Sequence, residues 1–195
     1  MTLTVPSTHD QIVNTAAQLV WVRGYHGTSV DDIIREARVS KGSFYHHFGS
    51  KEALAAAVVD RWTEQLSGAV RARLSDKADP EQNLHAILDA FVGSQVDTNF
   101  AGCPLGRLAL EMGDVSDALR DRLQSGFDTM RNFFTHYLRE AGMTEAEATE
   151  HGRYMLATVE GALMLDKVRG GGAVLEDLIA AIKLDVSRRL VEVAC

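Results

Sequence analysis

Apolar residues recur at helical spacing through nearly the whole chain, and no run alternates apolar and polar residues as a half-buried strand does. Val13, Ala16 and Val20 fall on one face of a first helix. Near the middle of the chain, a stripe from Leu119 to Tyr137 keeps the same period over a much longer segment. The pattern therefore predicts an all-α protein.

Capping signals place the helix boundaries. Thr8-x-x-Gln11 and Thr144-x-x-Glu147 fit capping boxes, in which two side chains satisfy each other's unpaired backbone N–H groups. Gly24 and Gly170 are suited to ending the helices that these boxes begin. The remaining helices are predicted after Thr28 or Ser29, from Ser40 to near Gly49, from Ser50 towards Leu74, over about 81–97, from Pro104 to Met112, after Ser116, and over about 173–193.

Composition agrees with a folded helical protein. The chain has 195 residues, of which 46% are hydrophobic and 24% charged, with three prolines, so a disordered chain or a fibre is excluded. Two cysteines are too few for a disulfide framework, and we expect reduced thiols. Apolar runs are short and no cationic leader precedes one, so we expect a cytoplasmic protein with no membrane partner.

The net charge of −7 comes from one part of the chain. Residues 80–195 carry eleven basic and eighteen acidic side chains, whereas bases and acids balance before residue 80. Residues 38–51 hold three bases, two histidines and no acid. The acidic total therefore does not exclude a nucleic-acid partner for the N-terminal part.

Two short helices joined by about three residues, with another capped helix directly after them, match the helix-turn-helix arrangement in outline. The residues at this place are GYHGTSV at 24–30, VSKGSFYHHF at 39–48 and SKE at 50–52. Over about residues 9–55 they resemble the N-terminal DNA-binding region of the TetR/AcrR family of bacterial transcriptional regulators. The resemblance implies an N-terminal three-helix DNA-binding domain and a larger C-terminal helical bundle for ligand binding and dimerisation.

The start of the third helix has the chemistry that a duplex groove requires. Ser40 caps the helix, Lys41 adds positive charge, and Gly42 permits close approach. Ser43 is short enough to read a base edge. Phe44 and Phe48, one turn apart, are expected to face the core.

Other predicted DNA contacts surround this helix start. The resemblance implies phosphate contacts for Tyr45 and His46 and a phosphate clamp at Lys51, and we expect Thr28 to hold a further phosphate. Arg38 occupies a turn position where the family often has Gly. A left-handed backbone there costs about 1 kcal/mol, and Arg38 is also able to reach the DNA backbone. Against a DNA role, serine and threonine caps occur in any helical protein, and His47 equally fits a solvated surface.

A single module holds DNA weakly, so we expect a homodimer on a pseudo-palindromic operator. The resemblance implies a four-helix interface formed by the helices at about 145–169 and 173–193 of both subunits. The candidate interface residues are Gly161, Ala162, Leu163, Leu178, Ile182 and Val186. Alternatively, these residues face the core of their own subunit.

The middle of the chain is rich in soft and aromatic side chains, which suit an adaptable apolar site. The resemblance implies a small effector there, although core packing is the more common explanation for any single residue. Cys103, just before a predicted helix, is either a reactive thiol or a small buried hydrophobe. The candidate ligand-binding residues are Phe91, Gln95, Phe100, Cys103, Leu108, Met112, Phe127, Met130, Phe134, Tyr137, Met155 and Val159.

These expectations combine into one hypothesis. Residues 1–50 form a helix-turn-helix domain, residues 51–79 a connecting helix, and residues 80–195 an effector-binding and dimerisation domain. The protein is expected to be a repressor released by a small, mainly hydrophobic effector. The common motifs of hydrolases, phosphate-binding loops and zinc proteases are absent, and no cofactor is expected. Acid–histidine pairs at i, i+4, such as Glu81 with His85, do occur, but they are common on solvated helix faces. The alternatives are a small helical enzyme or metal-binding bundle with an incidental helix-turn-helix, and a DNA-binding protein without an effector.

Overall fold

The computed structural model describes residues 7–97, 101–112 and 116–193, which fold into helices without a strand, so the predicted all-α class is confirmed. The helices of these ranges are α1 Thr8–Arg23, α2 Val30–Glu36, α3 Lys41–His47, α4 Lys51–Arg71, α5 Pro80–Asp97, α6 Pro104–Met112, α7 Asp117–Glu140, α8 Glu145–Arg169 and α9 Ala173–Val193.

At most of the predicted helix ends, the capping residue in the structure is the one that the sequence predicts. Thr144 and Glu147 form the expected capping box of α8, and Gly170 ends that helix in the left-handed conformation at φ 76°. The first cap is one residue earlier than expected. Ser7, rather than Thr8, accepts a hydrogen bond from the Asp10 N–H and caps α1.

The chain divides into two compact units. One contains residues 1–65 and 104–126, and the other contains residues 66–103 and 127–195. The first unit therefore includes α6, which the sequence pattern grouped with the C-terminal segment. Helices α4 and α7 are each divided between the two units, with one end of the helix in each unit.

The first unit has its own core. Its centre is formed by side chains from α1 to α4, and α6 adds Leu105, Leu108 and Met112, which are all buried. Full burial of a side chain of this size contributes about 1.5–3 kcal/mol. The buried residues from α1 to α4 include Ile12, Val13, Ala16, Val20, Ile33, Phe44, Leu54 and Val58.

The second unit is built around a continuous apolar cluster from α5, α7, α8 and α9. A buried carboxylate joins the last two helices: Asp166 of α8 accepts hydrogen bonds from the N–H groups of Val174 at 3.0 Å and Leu175 at 2.8 Å. These are unpaired donors at the start of α9, so Asp166 caps that helix from its neighbour. The link between α8 and α9 is thereby fixed at both ends.

Within the described ranges, no helix combines the length and apolarity that a membrane crossing requires.

Candidate nucleic-acid interface

The turn between α2 and α3 is set by backbone chemistry. Ser29 and Asp32 form a reciprocal capping box at the start of α2. After that helix, Arg38 takes a left-handed backbone at φ 52°, and Ser40 then caps α3 by accepting a hydrogen bond from the Ser43 N–H at 3.0 Å. The Gln11 side chain donates to the Ala37 carbonyl at 2.8 Å and ties the turn to α1.

Two phenylalanines fix the orientation of α3. Phe44 and Phe48 are buried, as expected from their spacing, with ring centroids 6.0 Å apart. The opposite side of the helix faces outwards, where Tyr45 is half exposed and His46 is exposed. The core contact therefore determines which side chains α3 presents to a partner.

The outward side chains have unused hydrogen-bonding capacity. In the part of the chain that the structure describes, neither the guanidinium of Arg38 nor the ammonium of Lys41 has a carboxylate or carbonyl partner. Within the same described ranges, the Tyr45 hydroxyl and the His46 ring make no hydrogen bond, and the two rings contact those of Phe44 and His47. Four potential donors thus surround an acid-free segment, the arrangement expected where phosphate oxygens supply the missing acceptors.

Gly42 has no internal structural reason to be glycine. A Cβ built at this position meets only the Ser40 Oγ, at 3.9 Å, so the fold itself has room for a side chain. Its φ is not positive, so a left-handed backbone does not explain it either. The absence of a side chain therefore has value only if an external group approaches the helix start closely.

Lys51 lies in the first turn of α4 and is already partly engaged. Its ammonium donates to the Tyr25 carbonyl at 2.6 Å and lies 3.9 Å from the centre of the Tyr25 ring. Partial burial lowers the pKa of Lys51, while the Glu111 carboxylate opposes this effect. An ammonium has three N–H donors, so this held lysine retains the capacity to bind a phosphate.

Thr28 does not fit its predicted role. The residue is 0% exposed, and its hydroxyl donates to the Gly24 carbonyl at 2.8 Å. Ser29, not Thr28, caps α2. Thr28 is therefore a core residue that closes the α1–α2 corner, and its hydroxyl is turned towards the Gly24 carbonyl instead of towards a phosphate. A phosphate contact through the N–H groups behind Thr28 stays a prediction.

One acid of α2, Asp32, is held by internal partners. The hydroxyl of Ser29 and the guanidinium of Arg35 lower the pKa of Asp32 to about 2. This carboxylate is therefore ionised at neutral pH, and its charge is compensated inside the helix. It does not oppose a DNA phosphate as a free acid would.

A polar contact that the sequence did not reveal joins α6 to the α1–α2 corner. Arg107 donates to the Trp21 carbonyl at 2.5 Å. Glu111 accepts from the His26 N–H at 3.1 Å and pairs with Arg107 at 3.4 Å. The i, i+4 spacing of Arg107 and Glu111 was visible in the sequence, but their partners lie about 85 residues earlier.

Known proteins share both halves of this architecture. Residues 12–58 match the family model described as bacterial regulatory proteins, tetR family, and residues 80–181 match the C-terminal domain of LmrA/YxaF-like transcriptional regulators. The chain belongs to the TetR family. The resemblance expected from residues 9–55 is thereby confirmed and extends over the C-terminal helices.

Individual relatives agree with this assignment. The chain is 30% identical over 159 residues to the uncharacterised regulator YxaF of Bacillus subtilis, covering 80% of this chain and 83% of YxaF. It is 27% identical over 180 residues to the transcriptional repressor DhaR of Mycobacterium sp., covering 88% of each protein. The crystal structure of a TetR regulator from Chloroflexus aurantiacus superimposes with a TM-score of 0.80 at 28% identity, covering 92% of this chain and 94% of that one.

These proteins are transcriptional regulators, which confirms that the chain is a DNA-binding regulator rather than an enzyme. The sequence-based alternative of a helical enzyme with an incidental helix-turn-helix is therefore set aside. Among the described residues, no group of three His, Cys, Asp or Glu side chains is placed to hold a metal ion.

The predicted dimer residues fall mostly in the core of their own subunit. Ala162, Leu163, Ile182 and Val186 are buried there, which supports the alternative that they face the core of their own subunit. Leu178 is partly buried against the same cluster. Gly161 differs, because open space surrounds a Cβ built there. The apolar residues that α8 and α9 do expose are Tyr154, Met164, Leu165, Val168, Leu184 and Val191.

The predicted ligand residues also divide. Leu108 and Met112 belong to the first unit, and the second unit contains most of the others. Gln95 is committed to the α5–α6 connection, because its carbonyl accepts from the Gly102 N–H at 3.0 Å. Phe100 lies outside the described residues. Side chains of this set that are buried in the second unit are Phe91, Met130, Phe134, Met155 and Val159, whereas Phe127 and Tyr137 are partly buried.

Cys103 has a carboxylate partner. Its partly buried thiol hydrogen-bonds to Glu160 of α8. Burial raises the pKa of Glu160 from 4.5 to about 7, and the Cys103 contact opposes this only in part. A carboxylate beside a thiol does not favour the thiolate, so the geometry supports the interpretation of Cys103 as a packed residue over that of an activated nucleophile.

Proposed function

We propose that this TetR-family protein is a ligand-responsive repressor that binds a palindromic operator as a homodimer. The observation that carries the proposal is the exposed start of α3: an acid-free segment with unpartnered donors and a glycine that the fold does not require. The proposed DNA contacts are Arg38, Ser40, Lys41, Gly42, Ser43, Tyr45, His46 and Lys51. Such a protein acts in the cytoplasm, where its operator is.

A second proposal concerns dimerisation through α8 and α9. Tyr154, Gly161, Leu165 and Val168 recur at spacings of three, four and seven residues, so they lie along one face of α8. Val168 is 85% exposed and Leu165 is 50% exposed, so this face of α8 leaves adjacent apolar side chains uncovered. A second copy that packs against this face would cover it and would place two α3 helices for successive major grooves.

We also propose that the 80–195 segment binds the effector. The connection before α6 supports a route to the DNA-binding unit. Gln95 holds Gly102, and Lys167 donates to the Ala101 carbonyl at 2.8 Å, so α5 and α8 both hold the chain that leads into α6. Helix α6 in turn contacts the α1–α2 corner through Arg107 and Glu111. We propose that effector binding acts on the DNA-binding unit through this covalent connection.

Release from the operator requires that the effector lower the DNA affinity by a definite amount. A hundredfold loss of operator affinity needs about 2.7 kcal/mol of coupling free energy. The effector supplies it only through a higher affinity for the arrangement that does not bind DNA. If no compound produces such a change, the alternative of a DNA-binding regulator without an effector is favoured.

Selection of DNA fragments from the source genome by the purified protein, followed by fluorescence anisotropy at several salt concentrations, tests the DNA proposal. Arg38, Lys41 and Lys51 give three cations per subunit and six per dimer. At about −0.9 per neutralised phosphate, the logarithm of affinity should fall with the logarithm of salt at a slope near −5.

Lys41→Ala removes two of these contacts per dimer, so the slope should become shallower by about 2. Lys77→Ala, an exposed lysine in the segment after α4, is the matched control and should leave both slope and affinity unchanged. Equal slopes for the wild type and Lys41→Ala would contradict the assignment of α3 to the DNA.

A further inference from the structure

An open groove of about 400 Å³ lies on the second unit, between the C-terminal end of α4 with the residues that follow it and the C-terminal half of α7. Its apolar surface comes from Leu74, Phe133 and Tyr137, which are all partly buried. Phe133 and Tyr137 are one helical turn apart and so lie on the same face of α7. The groove therefore has a surface on which a flat ring can pack.

The cationic side chain of Arg71 lies beside this surface. The guanidinium of Arg71 lies 5.8 Å from the centre of the Phe133 ring. Among the residues that the structure describes, no acidic side chain lines the groove. Arg131 and Arg139, which also lie on α7, are by contrast paired with Asp128 at 2.7 Å and Glu145 at 2.9 Å. In a segment rich in acids, Arg71 thus lacks a carboxylate partner among the described residues.

Polar groups at the edge of the groove also have unused donors. Asn132 accepts a hydrogen bond from Arg131 through its carbonyl, which leaves its amide N–H groups without a partner in the described ranges. The Tyr137 hydroxyl and the His136 ring make no hydrogen bond there either, and the two rings contact each other at 4.8 Å. The edge is therefore rich in donors and free of acids, which favours a ligand that brings acceptors and negative charge.

We propose that this groove binds an aromatic carboxylate of one or two rings. The ring packs on Phe133 and Tyr137, and the carboxylate takes a forked, charge-assisted pair of hydrogen bonds from Arg71. The groove volume lies in the range of small-molecule sites and suits a compact ligand rather than a peptide or a lipid. That this ligand is the effector rests on the proposed function, whereas the binding site itself does not.

Calorimetric titration of the full-length protein with 2-naphthoate tests the site. We expect saturable binding to the wild type, at least tenfold weaker binding to Arg71→Gln, and an intermediate affinity for Arg71→Lys, which keeps the charge but not the fork. Arg73→Gln is the matched control: Arg73 donates to the Ala69 carbonyl, lies outside the groove lining, and should bind the acid within twofold of the wild type.

The neutral analogue 2-naphthol separates charge from ring packing and should bind at least tenfold more weakly than the acid. Thermal melts of each variant without ligand check that the fold is intact. No saturable binding to the wild type, or equal affinities for the wild type and a folded Arg71→Gln, would overturn the site.

Operator binding is measured in parallel on the same proteins without ligand, where Arg71→Gln and the wild type should agree. If 2-naphthoate binds through Arg71 but leaves operator affinity unchanged, the binding site is supported and its role as the effector site is contradicted. If another compound releases the operator while 2-naphthoate does not bind, the groove proposal falls and the repressor proposal stands.

Discussion

The left-handed turn at Arg38 offers a way to separate folding from DNA binding. At φ 52°, this non-glycine residue has a backbone conformation that costs an L-amino acid about 1–2 kcal/mol. Arg38→Gly removes that cost, but glycine also makes the unfolded chain more flexible, which lowers the stability of the folded state by about 0.5–1 kcal/mol. The net gain should be about 0.5–1 kcal/mol. For a chain of this size, this raises the melting temperature by roughly 1–4 °C.

Arg38→Ala is the matched control, because it loses the guanidinium and keeps the strained backbone. Melting temperatures should be measured at one fixed protein concentration, since dimerisation makes them concentration-dependent. Both variants should bind the operator more weakly than the wild type, with a shallower salt slope, while only Arg38→Gly gains stability. A glycine variant no more stable than the alanine variant would refute the reasoning about the turn.

Three further predictions concern other parts of the molecule. Val168→Asp should shift the protein towards monomer in analytical ultracentrifugation, whereas Leu110→Asp, at an equally exposed apolar residue, should not; an unchanged dimer would contradict the α8–α9 interface. Because the pKa of Glu160 is raised to about 7, the folded state keeps a proton that the unfolded state loses above pH 4.5, so stability falls as pH rises from 4.5 to 7. Urea titrations at pH 5 and 8 measure this loss of unfolding free energy, and in Glu160→Gln it should be smaller by about 1–3 kcal/mol. Equal losses in the wild type and the variant would refute the assignment. Arg107→Ala should lower the free energy of unfolding by about 1–2 kcal/mol because the Trp21 carbonyl loses its donor, whereas Arg122→Ala, which breaks an exposed ion pair, should change it by less than about 1 kcal/mol; equal losses would argue against the α6 contact.

Local signals in the sequence were reliable where one residue determines the backbone. The Thr144–Glu147 box, the glycine at 170 and the inward spacing of Phe44 and Phe48 were all read correctly, because caps and helical spacing act over a single turn. The misplaced cap of α1 has a simple cause. Ser7-x-x-Asp10 and Thr8-x-x-Gln11 both fit a capping pattern, and spacing does not choose between overlapping candidates.

The dimer residues show where periodicity fails. Helix α8 carries apolar side chains on opposite faces, with Ala162 and Leu163 buried and Leu165 and Val168 exposed. A helical pattern identifies a face only when the opposite face is polar, so it could not say which of two apolar faces meets the core. The choice depends on how α5 and α9 pack against the helix, which is tertiary information.

Long-range polar contacts were equally hidden. The partners of Arg107 and Glu111 lie on a corner formed far earlier in the chain, and the burial of Thr28 depends on the same corner. At the candidate DNA-binding surface, the prediction rests on the residue types at the start of α3, which carry the chemistry themselves. The structure adds which of their donors are free and that Gly42 has space around it.

The central claim is that the first turn of α3 lies against DNA, and Gly42→Ala tests it most directly. A Cβ at this position meets nothing closer than 3.9 Å in the free protein, and alanine favours a helix over glycine by about 0.8–1 kcal/mol. The account predicts a variant at least as stable as the wild type that binds the selected operator at least tenfold more weakly in fluorescence anisotropy. An equally stable variant that binds the operator with wild-type affinity would contradict it.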